Sequence, residues 1–366
     1  MKIIKKFMFF ATIVAMIFTS CDTDDITLVP EKKYDNVAYI VNYGSYSGSK
    51  SEISIYDTDS LLIADSTGYF SANNVEFTSN IESMSIHNDI AYFMSNNGDK
   101  IDIVDAKTLK ALGNPISDDI TKPRHFVADD NTAYISCWGN VDDWSVMANS
   151  YIAKIDLTTK AVTKIALPGG PEGVIIVNNK LYTGLSTDNK VAVVDLATEA
   201  ISYITVSAVP QQFIEDVDGK IWVSLVSKYS TPFPADSLGL AIIDPLDNTV
   251  TDKVDFTIMG SNGFIHTSSD KKIVYALGKD EYPGTASSIH SVDVTTKILN
   301  STALVSGEKF NGFNVNSNND NIYVLISPSS TENGELKTYN SEGTLLDTEK
   351  TLIDPKHVVF YSIEQE

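Results

Sequence analysis

Ten polar residues recur at one kind of place in this chain. Glu82, Arg124, His125, Glu172, Gln211, Gln212, Asn262, Asn311, Lys356 and His357 each stand at or beside the start of an apolar run. Four of those runs open on a proline: Pro123, Pro171, Pro210 and Pro355. Arg124-His125 and Lys356-His357 repeat the same pair of side-chain types after it. Gathered at one rim, such carboxylates, amides and cations suit a large polar ligand; scattered, they only satisfy neighbouring backbone and water. Glu82 and Glu172 are the acids that could serve a metal there, and a Ca²⁺ site needs more convergent oxygens than two. The five histidines (87, 125, 266, 290 and 357) fall in different runs. Only His125 and His357 share the rim position, too few for zinc without carboxylate help. GxSxG, HExxH and CxxC are absent. No catalytic residue, metal ligand or cofactor is assigned, and the chain reads as a binding protein and not an enzyme. A metal-dependent hydrolase using Glu82 and Glu172 is the lesser alternative.

Aromatic residues collect in four long gaps between runs. These are YGSYSGSK from Tyr43, WGNVDDWSVMAN from Trp138, SKYSTPFPADS from Ser227 and KDEYPGTA from Lys279. Exposed aromatics on one rim are costly unless they meet a ligand or partner. The alternative is that each tucks beneath its own loop. The candidate ligand-binding set is Tyr43, Tyr46, Arg124, His125, Trp138, Trp144, Glu172, Gln212, Tyr229, Phe233, Tyr282, Asn311 and Lys356.

The elements that must position these residues are short strands. Lys122 to Pro168 holds four apolar runs of five to seven residues, separated by Asp/Asn/Gly/Thr turns, which predicts antiparallel strands joined by hairpins. Variants of this unit recur along the chain, as in a β-propeller, where each unit is one blade. Third runs repeat as ISIYD, IDIVD, IAKID, VAVVD, LAIID and IHSVD. Their terminal aspartates read as turn caps rather than as a catalytic array. The fourth run of the second unit is read at Thr108 to Leu112 and that of the sixth at Thr296 to Leu304; the first unit lacks an inner strand, and one run, Lys356 to Ile363, is left over. The fold class is therefore all-β, a seven-bladed propeller of four antiparallel strands per blade, closed by the C-terminal strand joining the first blade. Closure removes open sheet edges.

The N-terminal residues are a targeting segment. Lys2, Lys5 and Lys6 precede an apolar run from Phe7 to Phe18, too short for a stable membrane span. Residues 1–20 are read as a signal peptide, residues 21–34 as a flexible linker and residues 35–366 as the propeller. Formal net charge is −21 and no Lys/Arg cluster follows the first few residues, which disfavours nucleic acid. Cys21 and Cys137 are the two cysteines, and Cys137 ends an apolar strand; if Cys21 is modified, Cys137 is the one remaining thiol and no intrachain disulfide can form.

Phe18-Thr19-Ser20-Cys21 resembles the lipobox of bacterial lipoproteins, and Asp22, Asp24 and Asp25 resemble the surface-export signal of Bacteroidota lipoproteins. The AYIVNYG opening and the third-run aspartates resemble YncE-like seven-bladed propellers, and more narrowly the DUF5074-type lipoproteins of Bacteroidota. That resemblance implies lipidation at Cys21, attachment to the outer membrane through the lipid alone, and exposure at the cell surface. One branch, the BtuG proteins, binds cobalamin and partners a TonB-dependent outer-membrane transporter. The expected function is capture of a small-molecule nutrient, with a corrinoid the best single guess, and its transfer to such a transporter. A propeller that grips a surface protein or glycan is the alternative.

Overall fold

The computed structural model describes residues 36–362 apart from 47, 49, 229–231, 259–262 and 281–283. The signal peptide, Cys21 and the whole linker lie outside the described residues. Alternating side chains along each strand face opposite sides of its sheet, so every sheet has two apolar faces to cover. Tyr39 and Ile40 show the consequence. Tyr39 packs with Phe93 toward the second sheet, while Ile40 packs with Tyr323 and Leu325 toward the last. Among the described residues seven such apolar clusters occur, one at each interface between neighbouring sheets. A ring of seven sheets is what this two-faced packing requires.

Blade one is built from both ends of the described chain. Pro355–Ser362 is its inner strand, followed outward by Asn36–Asn42, Glu52–Asp57 and Leu62–Asp65. The closure pairs Tyr39 with Val359 and Ile40 with Val358. Tyr56 reinforces it by donating to Asp347 of blade seven at 3.0 Å, and Tyr361 by donating to Asp89 of blade two at 3.0 Å. The fold is the expected all-β, seven-bladed propeller.

Two outer strands depart from expectation. Blade two has three regular strands, Ser83–His87, Ile90–Ser95 and Lys100–Asp105. Thr108 to Leu112, read as its fourth, makes only an isolated bridge between Val104 and Ala111, and a second bridge joins Ile101 to Ile116. Leu109 at φ 56° and Gly113 at φ 88° break the extended backbone there. In blade six the outer strand is Val305–Glu308, wholly beyond the expected Thr296 to Leu304 stretch, in which Leu299 makes only an isolated bridge to Val292. Lys297 is left-handed at φ 57°, inside the turn that Asp293 caps by accepting from the Thr296 N–H at 2.8 Å. A short helix, Gly68–Asn73, also appears after blade one. The Glu52 carboxylate accepts the Tyr69 N–H at 2.9 Å, and Tyr69 stacks on Phe77 at 3.6 Å in the buried core.

Candidate functional site: the channel mouth

The inner strands of five blades share a local irregularity. In blade three, Pro123 pairs with Cys137 and Phe126 with Ile135, so the inner strand holds one extra residue. Blade four repeats it between Pro171 and Val174, blade five between Pro210 and Phe213, and blade seven between Phe310 and Gly312. In blade one it falls at Lys356, between Pro355 and His357. A one-residue bulge breaks strict alternation and re-aims side chains. Here it lets consecutive residues, Arg124 with His125 and Gln211 with Gln212, reach one cavity. Proline fits the preceding position because a strand's first residue can lack an N–H. The bulge leaves a backbone N–H without a ladder partner. Ser136 Oγ accepts that of His125 at 3.1 Å and Ser224 Oγ that of Gln212 at 2.9 Å, and both serines are fully buried. Gly173 lets the next blade approach: a Cβ there would meet the Gln211 carbonyl oxygen at 2.2 Å.

The cavity so formed has a volume of about 110 Å³ and is lined by Glu82, Arg124, His125, Glu172, Gln211, Gln212, Gly263, Phe264, Lys356 and His357. An ion-pair chain crosses it. Arg124 Nη2 donates to Glu172 Oε1 at 2.7 Å and lies 3.0 Å from Glu82 Oε1; its Nε donates to Glu172 Oε2 at 3.1 Å. Lys356 Nζ donates to Glu82 Oε1 at 2.7 Å. Glu172 Oε1 also lies 3.5 Å from His125 Nε2. Burial by itself would raise both carboxyl pKa values, but Arg124 outweighs it. Glu172 is held at about 2, and Glu82, with Lys356 as second cation, is held lower still. The same two carboxylates push Arg124 upward against its burial. Two cations and two anions cancel. Burial, with Lys356 and His125 adding, lowers His357 to about 3, so its ring is neutral.

Aromatic rings extend this cluster to the rim. The Arg124 guanidinium lies 3.9 Å from the Trp138 ring centroid, and Trp144 meets Trp138 edge-to-face at 5.8 Å. The loop carrying both is pinned by buried Met147, by Trp138 N–H donating to the Lys122 carbonyl and by Gly139 N–H donating to that of Thr121. Across the mouth, Lys356 Nζ lies 5.0 Å from the Tyr43 ring centroid. Tyr43 is held by Ser51 and Asn80, which both donate to its carbonyl. Trp144 is 62% exposed and Tyr46 79%, so both face solvent.

The structure thus brings Arg124, His125, Glu172, Gln212 and Lys356 to one cavity, with Trp138 and Tyr43 stacked on its cations. Phe233 lies elsewhere: it packs against the cores flanking blade five and lines a separate cavity with Pro232, Ile258 and Lys279. Asn311 spends its amide N–H groups on Asp354 at 2.9 Å and the Pro355 carbonyl at 3.0 Å, tying blade seven to blade one. Tyr229, Tyr282 and Asn262 lie outside the described residues. Gly263 and Phe264 line the mouth and were not singled out from sequence. The close approach that makes Gly263 necessary, 2.5 Å from a Cβ to Ser224 Oγ, is invisible without the neighbouring blade. Among the described residues no group of three or more His, Cys, Asp or Glu could hold a metal ion.

Residues 36–352 match the family model described as a domain of unknown function, DUF5074. The chain belongs to the DUF5074 family. No curated protein matches it. Among solved structures, this DUF5074 protein is similar to a quinonprotein alcohol dehydrogenase-like protein from Bacteroides thetaiotaomicron, with 16% identity, a TM-score of 0.65 and coverage of 89% of this chain and 78% of that one. A periplasmic gluconolactonase from Pseudomonas aeruginosa gives 12% identity, a TM-score of 0.63 and coverage of 88% and 99%. Hydrazine synthase from Kuenenia stuttgartiensis gives 12%, 0.62, 78% and 96%. Three such different names at such low identity speak for a shared propeller architecture alone.

Proposed function

We propose that this DUF5074 protein is a surface-exposed, non-catalytic lipoprotein, anchored through Cys21, that captures a small molecule across the channel mouth and passes it to a TonB-dependent outer-membrane transporter. The observation that supports this best is the continuous contact from exposed Trp144 through Trp138 to the Arg124 cluster, faced across the mouth by Tyr43 on Lys356. At about 110 Å³ the cavity is well below the roughly 300–1,000 Å³ of pockets that enclose a drug-sized ligand. A nutrient-sized ligand therefore lies over the mouth against the aromatic rim, with only a polar group entering. Cobalamin, a flat macrocycle fringed with carboxamides, is the first compound to test. Metal-assisted hydrolysis is less well supported, because Glu82 and Glu172 are already committed to Arg124 and Lys356.

Titration calorimetry of the purified protein with cyanocobalamin tests the reading. One-to-one binding is expected, weakened by about 1–3 kcal/mol in each of Trp138→Ala and Trp144→Ala, the usual cost of truncating an anchoring aromatic. No heat and no shift in melting temperature at millimolar cyanocobalamin would reject the corrinoid. The exposed Tyr46 and Trp144 would then point to a glycan or protein partner, to be sought by pull-down from outer-membrane extract.

A further inference from the structure

We infer that Gln211 and Gln212 form a paired hydrogen-bond donor for a carbonyl oxygen of the ligand, so that the mouth selects an uncharged, carboxamide-bearing molecule. This rests on the mouth being a binding site, as proposed above. The bulge after Pro210 turns both glutamines to the cavity they line. Gly263 N–H donates to Gln211 Oε1 at 2.9 Å, and Ile265 N–H donates to Gln212 Oε1 at 3.3 Å. A backbone N–H can only donate, so in each amide the oxygen must face blade six. The two NH₂ groups remain, and neither has a protein partner among the described residues. Each carries two N–H donors.

The rest of the mouth sets the charge of what can dock. Arg124 and Lys356 are both engaged by carboxylates, so among the described residues lining the mouth no lysine or arginine is left over for an anionic ligand. An anion would also approach a chain of net charge −21. An ammonium group would meet donors where it needs acceptors. A neutral carbonyl oxygen accepts from both NH₂ groups without disturbing the ion pairs.

Two-dimensional ¹⁵N–¹H NMR of the side-chain amides tests this on the whole protein, with nicotinamide and nicotinate as probes of equal size and different charge. Gln211→Glu and Gln212→Glu assign the two signals, and each keeps an oxygen for Gly263 or Ile265. Nicotinamide is expected to shift both signals saturably in the millimolar range, as a ligand this small allows. Nicotinate should bind about tenfold more weakly, and so should nicotinamide to the double variant, about the loss of one hydrogen bond. Unmoved signals with nicotinamide would overturn the donor pair, and equal binding of nicotinate would overturn the selection for an uncharged ligand. Cyanocobalamin calorimetry separates the two ideas. A protein that ignores cyanocobalamin yet shows the nicotinamide shifts loses the corrinoid and keeps the donor pair. Equal cyanocobalamin affinity in wild type and double variant keeps the corrinoid and overturns the donor pair.

Discussion

Arg124 is the single side chain on which the mouth depends. It satisfies Glu82 and Glu172, whose side chains are only 9% and 10% exposed, and it carries Trp138 on its face. Removing one partner of a buried ion pair leaves an uncompensated charge, which costs about 3–5 kcal/mol. Arg124→Met should lower the melting temperature accordingly, and adding Glu172→Gln should recover part of the loss. Lysine is no substitute, because it cannot reproduce the fork that reaches both oxygens of Glu172 or the flat face that Trp138 covers. A calorimetric scan of Arg124→Met that matched wild type would mean that the carboxylates are not held by this network. Most residue types at the mouth were legible in the sequence because each stands at or beside the start of an inner strand, as Arg124 does after Pro123 and Glu82 before Ser83. Their pairing was not: that Glu82 bonds Lys356, far along the chain, follows only from ring closure.

At the scale of elements, the post-proline bulge and its serine form the working unit. Ser224 is fully buried and takes the N–H of Gln212 that the ladder cannot use. Ser224→Ala should therefore cost about 1–3 kcal/mol, the penalty for an orphaned buried donor, and should weaken ligand binding by loosening Gln212. Asp195 gives the contrast. It caps an exposed hairpin by accepting the Thr198 N–H at 2.8 Å, so Asp195→Ala should cost about 1 kcal/mol and leave binding unchanged. Urea melts and binding isotherms of the two variants side by side check both. Such turn aspartates were readable from sequence because their partners lie two or three residues on: Asp156 takes the N–H groups of Thr158 and Thr159, and Asp244 that of Leu246. The bulges were not readable, since an extra residue shows only against the paired strand. The outer strands of blades two and six failed for a related reason: left-handed Leu109 and Lys297 are ordinary residue types that nothing local marks as turns.

At the scale of the whole molecule, the channel wall makes stability depend on pH. His266 is lowered to about 4 and His357 to about 3, chiefly by burial. The unfolded chain binds those protons first, near the ordinary histidine value of 6.5, so the native state loses stability as pH falls from about 6.5 toward 3. Glu172 adds a second acid-side loss, as pH drops from the ordinary carboxyl range toward about 2. Melting temperature should be flat from neutrality upward with respect to these groups and fall progressively below pH 6. His357→Asn should flatten the upper part of that fall. A wild-type curve level between pH 7 and pH 4 would contradict the burial of both rings.

The pairing of Tyr39 with Val359 has a consequence for how the protein is made. The last strand of the described chain to be synthesised is the innermost strand of the first blade, and it carries Lys356 and His357 with it. Until the ribosome has released it, six interfaces can form but the seventh cannot, and Glu82 has no lysine. Such a nascent chain leaves the inner edge of Asn36–Asn42 unpaired until Pro355–Ser362 reaches it. The Glu82–Lys356 ion pair and ring closure therefore mature in the same event, and a truncated product forfeits both.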